Sequence, residues 1–169
     1  RDQYDVVYSG MDTTPYLQGP DDRDATRAEL GIADDETVIG TVARLFELKG
    51  HDDLLAALPT LLQHHPRVRY LWVGDGAWRE RLTERMRQMG VADRVTMTGL
   101  VTPDAVPRYL RAMDALAHPS YREGLPRAVV QAMLSGVPVV AYDCDGAGEV
   151  CIEGETGRLV PAGHVEALT

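Results

Sequence analysis

Residues 115–134 read ALAHPSYREGLPRAVVQAML, and this segment contains one complete strand–loop–helix unit. It starts with a short apolar run at 115–118, which is typical of a buried strand. A polar loop follows, and Pro126 then opens a helix. That helix carries an apolar stripe made of Val129, Val130, Met133 and Leu134. A strand, a loop and a helix in this order form the repeating unit of a parallel α/β sheet.

The same unit recurs along the chain. Five further apolar runs are predicted as strands, at 37–43, 68–73, 95–98, 137–142 and 158–160. Segments with one apolar face lie between them and are predicted as helices, at 52–63, at 77–89 and from Pro103 onward. Because the strands are short and apolar throughout, both faces of the sheet are covered. The sequence therefore predicts an α/β fold with a Rossmann-like, doubly wound parallel sheet. Pro59 is expected to kink or shorten its helix.

The first residues differ from the rest. Val6–Tyr8 is predicted as a short strand, and residues 11–22 are rich in Asp, Thr, Pro and Gly, as linkers are. A short helix follows from Arg23 to Leu30 and ends at Gly31. We therefore divide the chain into an interdomain strand and linker remnant at 1–22 and one globular domain at 23–169, which we expect to be truncated at its C-terminus.

Composition excludes several classes of protein. The 169 residues are 44% hydrophobic and 25% charged, an ordinary globular balance for about one domain. The formal charge of −9 argues against a nucleic-acid binder, although two or three local cations could still hold a small anion. Cys144 and Cys151 form neither a disulfide framework nor a zinc pattern, so we expect reduced thiols in a cytosolic protein.

Two strands are followed by residues that could bind a ligand. Arg44 and Lys49 follow the first strand and could converge on a diphosphate, or could simply be solvated loop cations. Glu123 follows the fourth strand and could accept hydrogen bonds from sugar hydroxyls, or could merely favour the positive end of the next helix. At that helix N-terminus we expect free N–H groups to form an anion site. These N–H groups belong to Arg127, Ala128 and Val129.

Three other motifs receive no functional role. Gly74-Asp75-Gly76 begins like a dinucleotide fingerprint, but Arg79 stands in place of the third glycine, which excludes an NAD-linked oxidoreductase. Asp143 and Asp145 form an Asp-x-Asp pair, yet two loop carboxylates alone are not a ligand set, so no metal is predicted. His118 follows the fourth strand and could line the crevice, but we interpret it as a packed core histidine and assign it no catalytic role.

Seven motifs in fixed order resemble one family. They are Gly-x-x-x-Arg-x-x-x-x-Lys-Gly at 40–50, Val-Gly-Asp-Gly at 73–76, Gly99, Pro-Ser-x-x-Glu-Gly-Leu-Pro at 119–126, Gly-Val-Pro-Val-Val-Ala at 136–141, Gly-x-Gly-Glu at 146–149 and Glu-Thr-Gly-Arg-Leu-Val at 155–160. Together they resemble the C-terminal, donor-binding domain of retaining GT-B glycosyltransferases of family 4, the glycosyl transferases group 1. Ser9–Asp12 is similar to the family's segment at the junction of its two domains.

The resemblance implies transfer of a sugar, with retention, from a nucleoside diphosphate sugar to an acceptor held by an N-terminal domain that this chain lacks. It implies that Arg44 and Lys49 grip the diphosphate and that Glu123 contacts the transferred sugar, which makes these three the catalytic set. The donor-binding positions that it implies are Arg44, Lys49, Leu100, Val101, Glu123, Gly124, Leu125, Arg127, Ala128 and Gln131. Gln131 replaces the family's second glutamate, which binds ribose, and so loses charge-assisted hydrogen bonds.

The remaining expectations concern partners and place. The resemblance implies a nucleoside diphosphate sugar and the chain's own N-terminal domain as partners, no nucleic acid, and no metal or other cofactor. The full-length protein is expected in the cytoplasm, with any contact to the inner face of the membrane made through the absent domain. The isolated chain is expected to bind donor and to catalyse little. Two alternatives stay open, a GT-B sugar-nucleotide epimerase and a non-catalytic nucleotide-binding module.

Overall fold

Six parallel strands form the sheet of the computed structural model, which describes residues 10–169. The strands are β1 (Thr37–Val42), β2 (Val68–Val73), β3 (Val95–Met97), β4 (Ala115–His118), β5 (Val139–Asp143) and β6 (Arg158–Pro161). Their order across the sheet is β3-β2-β1-β4-β5-β6, and every pairing is parallel. This order confirms the predicted doubly wound, Rossmann-like α/β fold.

Helices cover both faces of this sheet. Within the described residues they are α1 (Thr14–Leu17), α2 (Arg23–Glu29), α3 (His51–His64), α4 (Arg79–Gln88), α5 (Val106–Arg111) and α6 (Arg127–Leu134). Alternate residues of β2 point to opposite faces. Tyr70 and Trp72 pack in one core with α3 and α4, whereas Leu71 and Val73 pack in the other with α5 and α6. The strands are largely, not wholly, apolar because both of their faces are mostly buried. The charged Arg69 of β2 is partly buried and pairs with Glu36 at 3.0 Å.

The helix α3 continues through Pro59 as one element, so the expected shortening is wrong. A proline inside a helix costs about 3 kcal/mol, because it removes a backbone hydrogen bond and crowds the preceding turn. Burying a leucine side chain contributes about 1.5–3 kcal/mol. The helix buries four leucines against the sheet, and together they outweigh the cost of the exposed proline. These are Leu54, Leu55, Leu58 and Leu61.

The segment before α2 packs onto the domain, although its composition is that of a linker. The helix α1 contacts α6, and its Tyr16 is buried in the core. The Arg111 guanidinium also donates to both carboxylate oxygens of Asp22, at 2.8 and 2.9 Å. The predicted strand Val6–Tyr8 lies outside the described residues, and the division at residue 22 stays a prediction. In residues 10–169 no helix is both long and apolar enough to span a bilayer.

The centre of the sheet marks the place of a ligand site. Neighbours β1 and β4 are far apart in the chain, and the connections leave them in opposite directions along the sheet. In an open parallel sheet, ligands bind beyond the carboxyl ends of the strands at this switch point. The loops that follow β1 and β4 therefore border the candidate site.

Candidate functional site

The loops after β1 and β4 are in direct contact. The backbone N–H of Tyr121 donates to the Leu48 carbonyl at 2.9 Å, and the Ser120 hydroxyl donates to the same oxygen at 3.1 Å. Gly50 has a φ of 67°, and a Cβ there would overlap the carbonyl oxygen of Pro119. Only glycine therefore allows the two loops to approach this closely. Their contact brings side chains from positions some seventy residues apart into one cluster.

Lys49, Glu123 and His118 form the centre of this cluster. The Lys49 Nζ lies 2.5 Å from Glu123 Oε1, and His118 Nε2 lies 2.9 Å from the same oxygen. Lys49 also donates to the Ser120 hydroxyl at 3.3 Å. The side chains of Lys49, Glu123 and His118 are only 19%, 13% and 6% exposed. A charge pair this sheltered from water is screened less than a surface ion pair.

The carboxyl of Glu123 is ionised at neutral pH. Burial alone would raise its pKa, but the hydrogen bonds from His118 and Lys49 stabilise the charged form more strongly. The net effect lowers the pKa of Glu123 to about 2. An ionised carboxylate only accepts hydrogen bonds, so Nε2 is the His118 nitrogen that carries a proton.

His118 combines the two interpretations that the sequence left open, a packed core histidine and a residue that lines the crevice. The side chain is buried, as expected, but it bonds to the glutamate that the sequence singled out. Its apolar neighbours in β4 hid this contact. The position of His118, as the last residue of a strand at the switch point, is the signal that favoured the crevice.

The N-terminus of α6 offers two free N–H groups rather than three. Pro126 is the residue before the helix, not its first residue, with φ −74° and ψ 85°. Its carbonyl accepts the Val129 N–H at 2.9 Å, so the prediction of a free N–H at Val129 is wrong. The N–H groups of Arg127 and Ala128 bond to no described residue. In the preceding loop, Gly124 is exposed and Leu125 is half-buried.

The loop after β5 supports the loop that carries Glu123. Asp145 Oδ2 accepts the Glu123 backbone N–H at 3.1 Å, and the Gly146 N–H donates to the Glu123 carbonyl at 3.4 Å. Asp145 thus acts as a backbone support, with Asp143 exposed beside it. Residues 10–169 contain no group of three or more His, Cys, Asp or Glu arranged to hold a metal ion.

Arg44 makes no side-chain hydrogen bond or ion pair with this cluster. Its side chain is exposed, and its guanidinium carbon is 5.9 Å from the ring centroid of Phe46. It forms no ion pair with any described residue. The structure thus joins Lys49 to Glu123 and leaves the second predicted diphosphate ligand unengaged.

A cavity of about 390 Å³ adjoins the N-terminal half of α6. It brings together three predicted positions, Val101, Arg127 and Gln131, whereas Leu100 is 87% exposed and lies outside the lining. Its other lining residues are Met11, Asp12, Pro15, Tyr16, Pro103, Asp104 and Val106. Tyr16 was missed by the sequence analysis. It is 8% exposed, and its hydroxyl forms no hydrogen bond with a described residue.

The fold and the site define a class of protein. An open parallel sheet presents a partly buried lysine–glutamate pair and a helix N-terminus with free N–H groups at its switch point, and a cavity lies beside that helix. This arrangement is that of α/β domains that bind phosphorylated ligands, nucleotides above all.

The family follows from comparison with known proteins. Residues 22–169 match the family model described as glycosyl transferases group 1, and the chain belongs to this family. A D-inositol 3-phosphate glycosyltransferase of Nocardia farcinica is 38% identical over 99% of this chain and 38% of its own length. A GDP-mannose-dependent alpha-(1-6)-phosphatidylinositol monomannoside mannosyltransferase of Mycolicibacterium smegmatis is 33% identical over 95% of this chain and 44% of its own.

A solved structure with a bound nucleotide is also similar. The Anabaena protein HepE, in complex with UDP and glucose, superposes with a TM-score of 0.86 and 34% sequence identity. The match covers 97% of this chain and 45% of HepE. The same protein has been solved with UDP-glucose. Our chain therefore spans less than half the length of these relatives.

Proposed function

We propose that this chain is the donor-binding part of a retaining glycosyltransferase that uses a nucleoside diphosphate sugar. One observation carries the proposal: Lys49 and Glu123 meet at 2.5 Å at the switch point of a group 1 glycosyltransferase fold. In this proposal, Lys49 is the cation for the diphosphate and Glu123 the carboxylate for the sugar hydroxyls, and their contact supports the two roles side by side. The complexes of HepE with UDP and with UDP-glucose support the assignment.

The donor is assigned in three parts. The diphosphate contacts Lys49, Arg44 and the free N–H groups at the start of α6, because all of these stabilise negative charge. The sugar lies against Glu123 and the backbone of residues 124–125. The nucleoside occupies the cavity beside Gln131, with its base near the backbone of residues 100–101.

Catalysis then rests on the leaving group. Negative charge develops on the diphosphate as its bond to the anomeric carbon breaks, and preorganised cations and N–H groups stabilise that charge. Lys49 and Arg44 supply this stabilisation without a metal ion. We propose that an N-terminal domain holds the acceptor in the cytoplasm and that any contact with the inner membrane face is made through that domain.

Titration calorimetry with UDP, GDP and ADP tests the proposal. Because HepE was solved with UDP, we expect UDP to bind best. Lys49→Ala should weaken UDP binding by about tenfold or more, and Arg44→Ala by a similar factor, since each removes a charge-assisted contact. Arg67→Ala is the matched control, because Arg67 is an exposed arginine just before β2, at the amino ends of the strands and so opposite the candidate site. Binding that survives both loop substitutions would contradict the proposed diphosphate site.

A further inference from the structure

We propose that His118 is a positioning residue that fixes the carboxylate of Glu123 for the donor sugar. The inference rests on the proposed function and adds to it a residue that neither the resemblance nor the comparisons assign. Its basis is the way in which two side chains, those of Lys49 and His118, share one carboxylate oxygen of Glu123.

Lys49 and His118 converge on the same atom, Glu123 Oε1. The other oxygen, Oε2, accepts no hydrogen bond from a described residue. The Ser120 hydroxyl also lies beside the carboxylate and helps to lower its pKa, but it donates to the Leu48 carbonyl at 3.1 Å. One oxygen is thus anchored within the protein, and the other can receive a hydroxyl from a ligand. The two donors, Lys49 and His118, together hold Oε1 and so orient the carboxylate with Oε2 toward the ligand.

The two anchors differ in rigidity. His118 is the last residue of β4 and is paired in register with Ala141 of the neighbouring strand β5. It is 5% exposed, so its ring has little freedom. Lys49 ends a short 3-10 turn, and its ammonium is a mobile group on a flexible four-carbon stem.

Lys49 also has a second task. A bound diphosphate attracts its ammonium, which already donates to both Glu123 and Ser120. The lysine contact with Glu123 therefore weakens when the donor arrives, whereas the contact from His118 does not depend on the diphosphate. His118 therefore holds the Glu123 carboxylate in place while the donor sugar is bound.

The backbone of Glu123 is fixed separately. Its N–H donates to Asp145 and its carbonyl accepts the Gly146 N–H. Removing the imidazole therefore releases the carboxylate without releasing the loop. This separation makes the role of His118 testable by substitution.

The test compares three variants of the 169-residue chain by calorimetry with UDP-glucose and with UDP. His118→Leu removes the donor and keeps an apolar side chain of moderate size. We expect it to weaken UDP-glucose binding about tenfold, as for a lost hydrogen bond to a charged group, and to change UDP binding less than twofold. His118→Gln keeps an N–H at a similar reach and should restore most of the affinity. His64→Leu, at an exposed histidine that ends α3, is the matched control and should change neither.

A second readout does not depend on donor binding. Carbon-13 NMR of the Glu123 side chain reports its pKa directly. His118→Leu should raise that pKa by about one unit or more, because it removes a hydrogen bond to the charged form, and His118→Gln should reverse the change. His118→Ala replaces the leucine variant if the thermal midpoint shows that the latter does not fold.

The outcomes separate the two proposals. Wild-type protein that binds none of UDP, UDP-glucose, GDP and ADP overturns the proposed function, and with it the role of His118 in holding a donor. Wild-type protein that binds both UDP and UDP-glucose, with UDP-glucose affinity unchanged in the leucine variant, overturns the role of His118 alone. Equal losses for UDP and UDP-glucose, or an unchanged Glu123 pKa, also overturn it, since either would mean that the imidazole does not orient this carboxylate.

Discussion

The two halves of the candidate site are built in opposite ways. Around Glu123, charged groups already satisfy one another, with Lys49 and His118 on the same carboxylate oxygen. In the neighbouring cavity, Tyr16 and Gln131 border open space, and the tyrosine hydroxyl forms no hydrogen bond with a described residue. The first half is thus preorganised for charge, and the second leaves polar groups for a ligand to satisfy. Substitutions in the first half should therefore have larger effects.

The largest effect is expected from Glu123→Gln. The substitution removes the negative partner of the partly buried Lys49 and leaves a neutral group that cannot accept from both anchors equally well. We expect UDP-glucose affinity to fall by about a hundredfold, the upper range for a hydrogen bond between charged groups, and UDP affinity to fall far less. Calorimetry measures both. Glu149→Gln, an exposed glutamate in the loop after β5, is the control, and an equal effect there would show that the charge of the surface matters rather than the site.

The next effect concerns the support beneath the charged half. His51 follows the Gly50 turn, packs edge-on against Trp72 with ring centroids 4.8 Å apart, and is fully buried. Burial lowers its pKa from 6.5 to about 4. Above about pH 6.5 the His51 imidazole is neutral in both the folded and the unfolded chain. Below pH 6.5 the unfolded chain takes up a proton first, because its histidine has the higher pKa. The free energy of unfolding therefore falls as the pH falls toward 4. Linkage gives a loss of about 2 kcal/mol at pH 5 relative to pH 7.5.

Denaturant unfolding of the wild type and of His51→Leu at several pH values measures this effect. The leucine variant lacks the titrating group and should lose the slope between pH 6.5 and 4. Parallel curves for the two proteins would show that His51 titrates normally and that its burial does not control acid stability.

The fold and two residues of the candidate site could be predicted from the sequence. The fold was predictable because a strand buried on both faces is largely apolar, as residues 68–73 are at every position except Arg69. The positions of Lys49 and Glu123 could be predicted because each follows a strand, at the carboxyl ends where open parallel sheets bind ligands. The contact between their side chains depends on the close approach of the loops after β1 and β4 at Gly50. The residue types in those loops do not reveal this approach.

The sequence failed where composition hid a tertiary role. Residues 11–22 have the composition of a linker, yet Tyr16 is buried and borders the cavity. The helix α1 has four residues, too few for a periodic signal, and its stability comes from packing on α6. The free N–H at Val129 was wrongly expected because the ψ of Pro126, which sets the first turn of α6, is a tertiary property.

Tyr16→Phe gives the third prediction and tests the open half. Burial raises the pKa of Tyr16, so the hydroxyl stays protonated and can donate to a nucleoside in the cavity. Removing it should weaken UDP binding by about fivefold, the value of one neutral hydrogen bond, and should leave the thermal midpoint nearly unchanged because no described partner is lost. Tyr109→Phe, at a tyrosine of similar burial on α5, is the control for binding. Equal UDP affinity in Tyr16→Phe and wild type would place the nucleoside elsewhere.

The smallest effect is expected from Gln131→Glu, and its sign decides how the open half works. The resemblance implies that a glutamate at this position binds ribose, and a carboxylate accepts hydrogen bonds from ribose hydroxyls more strongly than an amide does. Gln131 shares the cavity with Arg127, whose positive charge favours a carboxylate there, although Asp12 in the same lining opposes it. We expect UDP affinity to rise about threefold and the gain to vanish for 2′-deoxy-UDP if the 2′ hydroxyl is the group contacted. A fall in affinity would mean that the carboxylates of the cavity already repel a further negative charge, and that an amide at residue 131 suits this cavity better than the glutamate of the family.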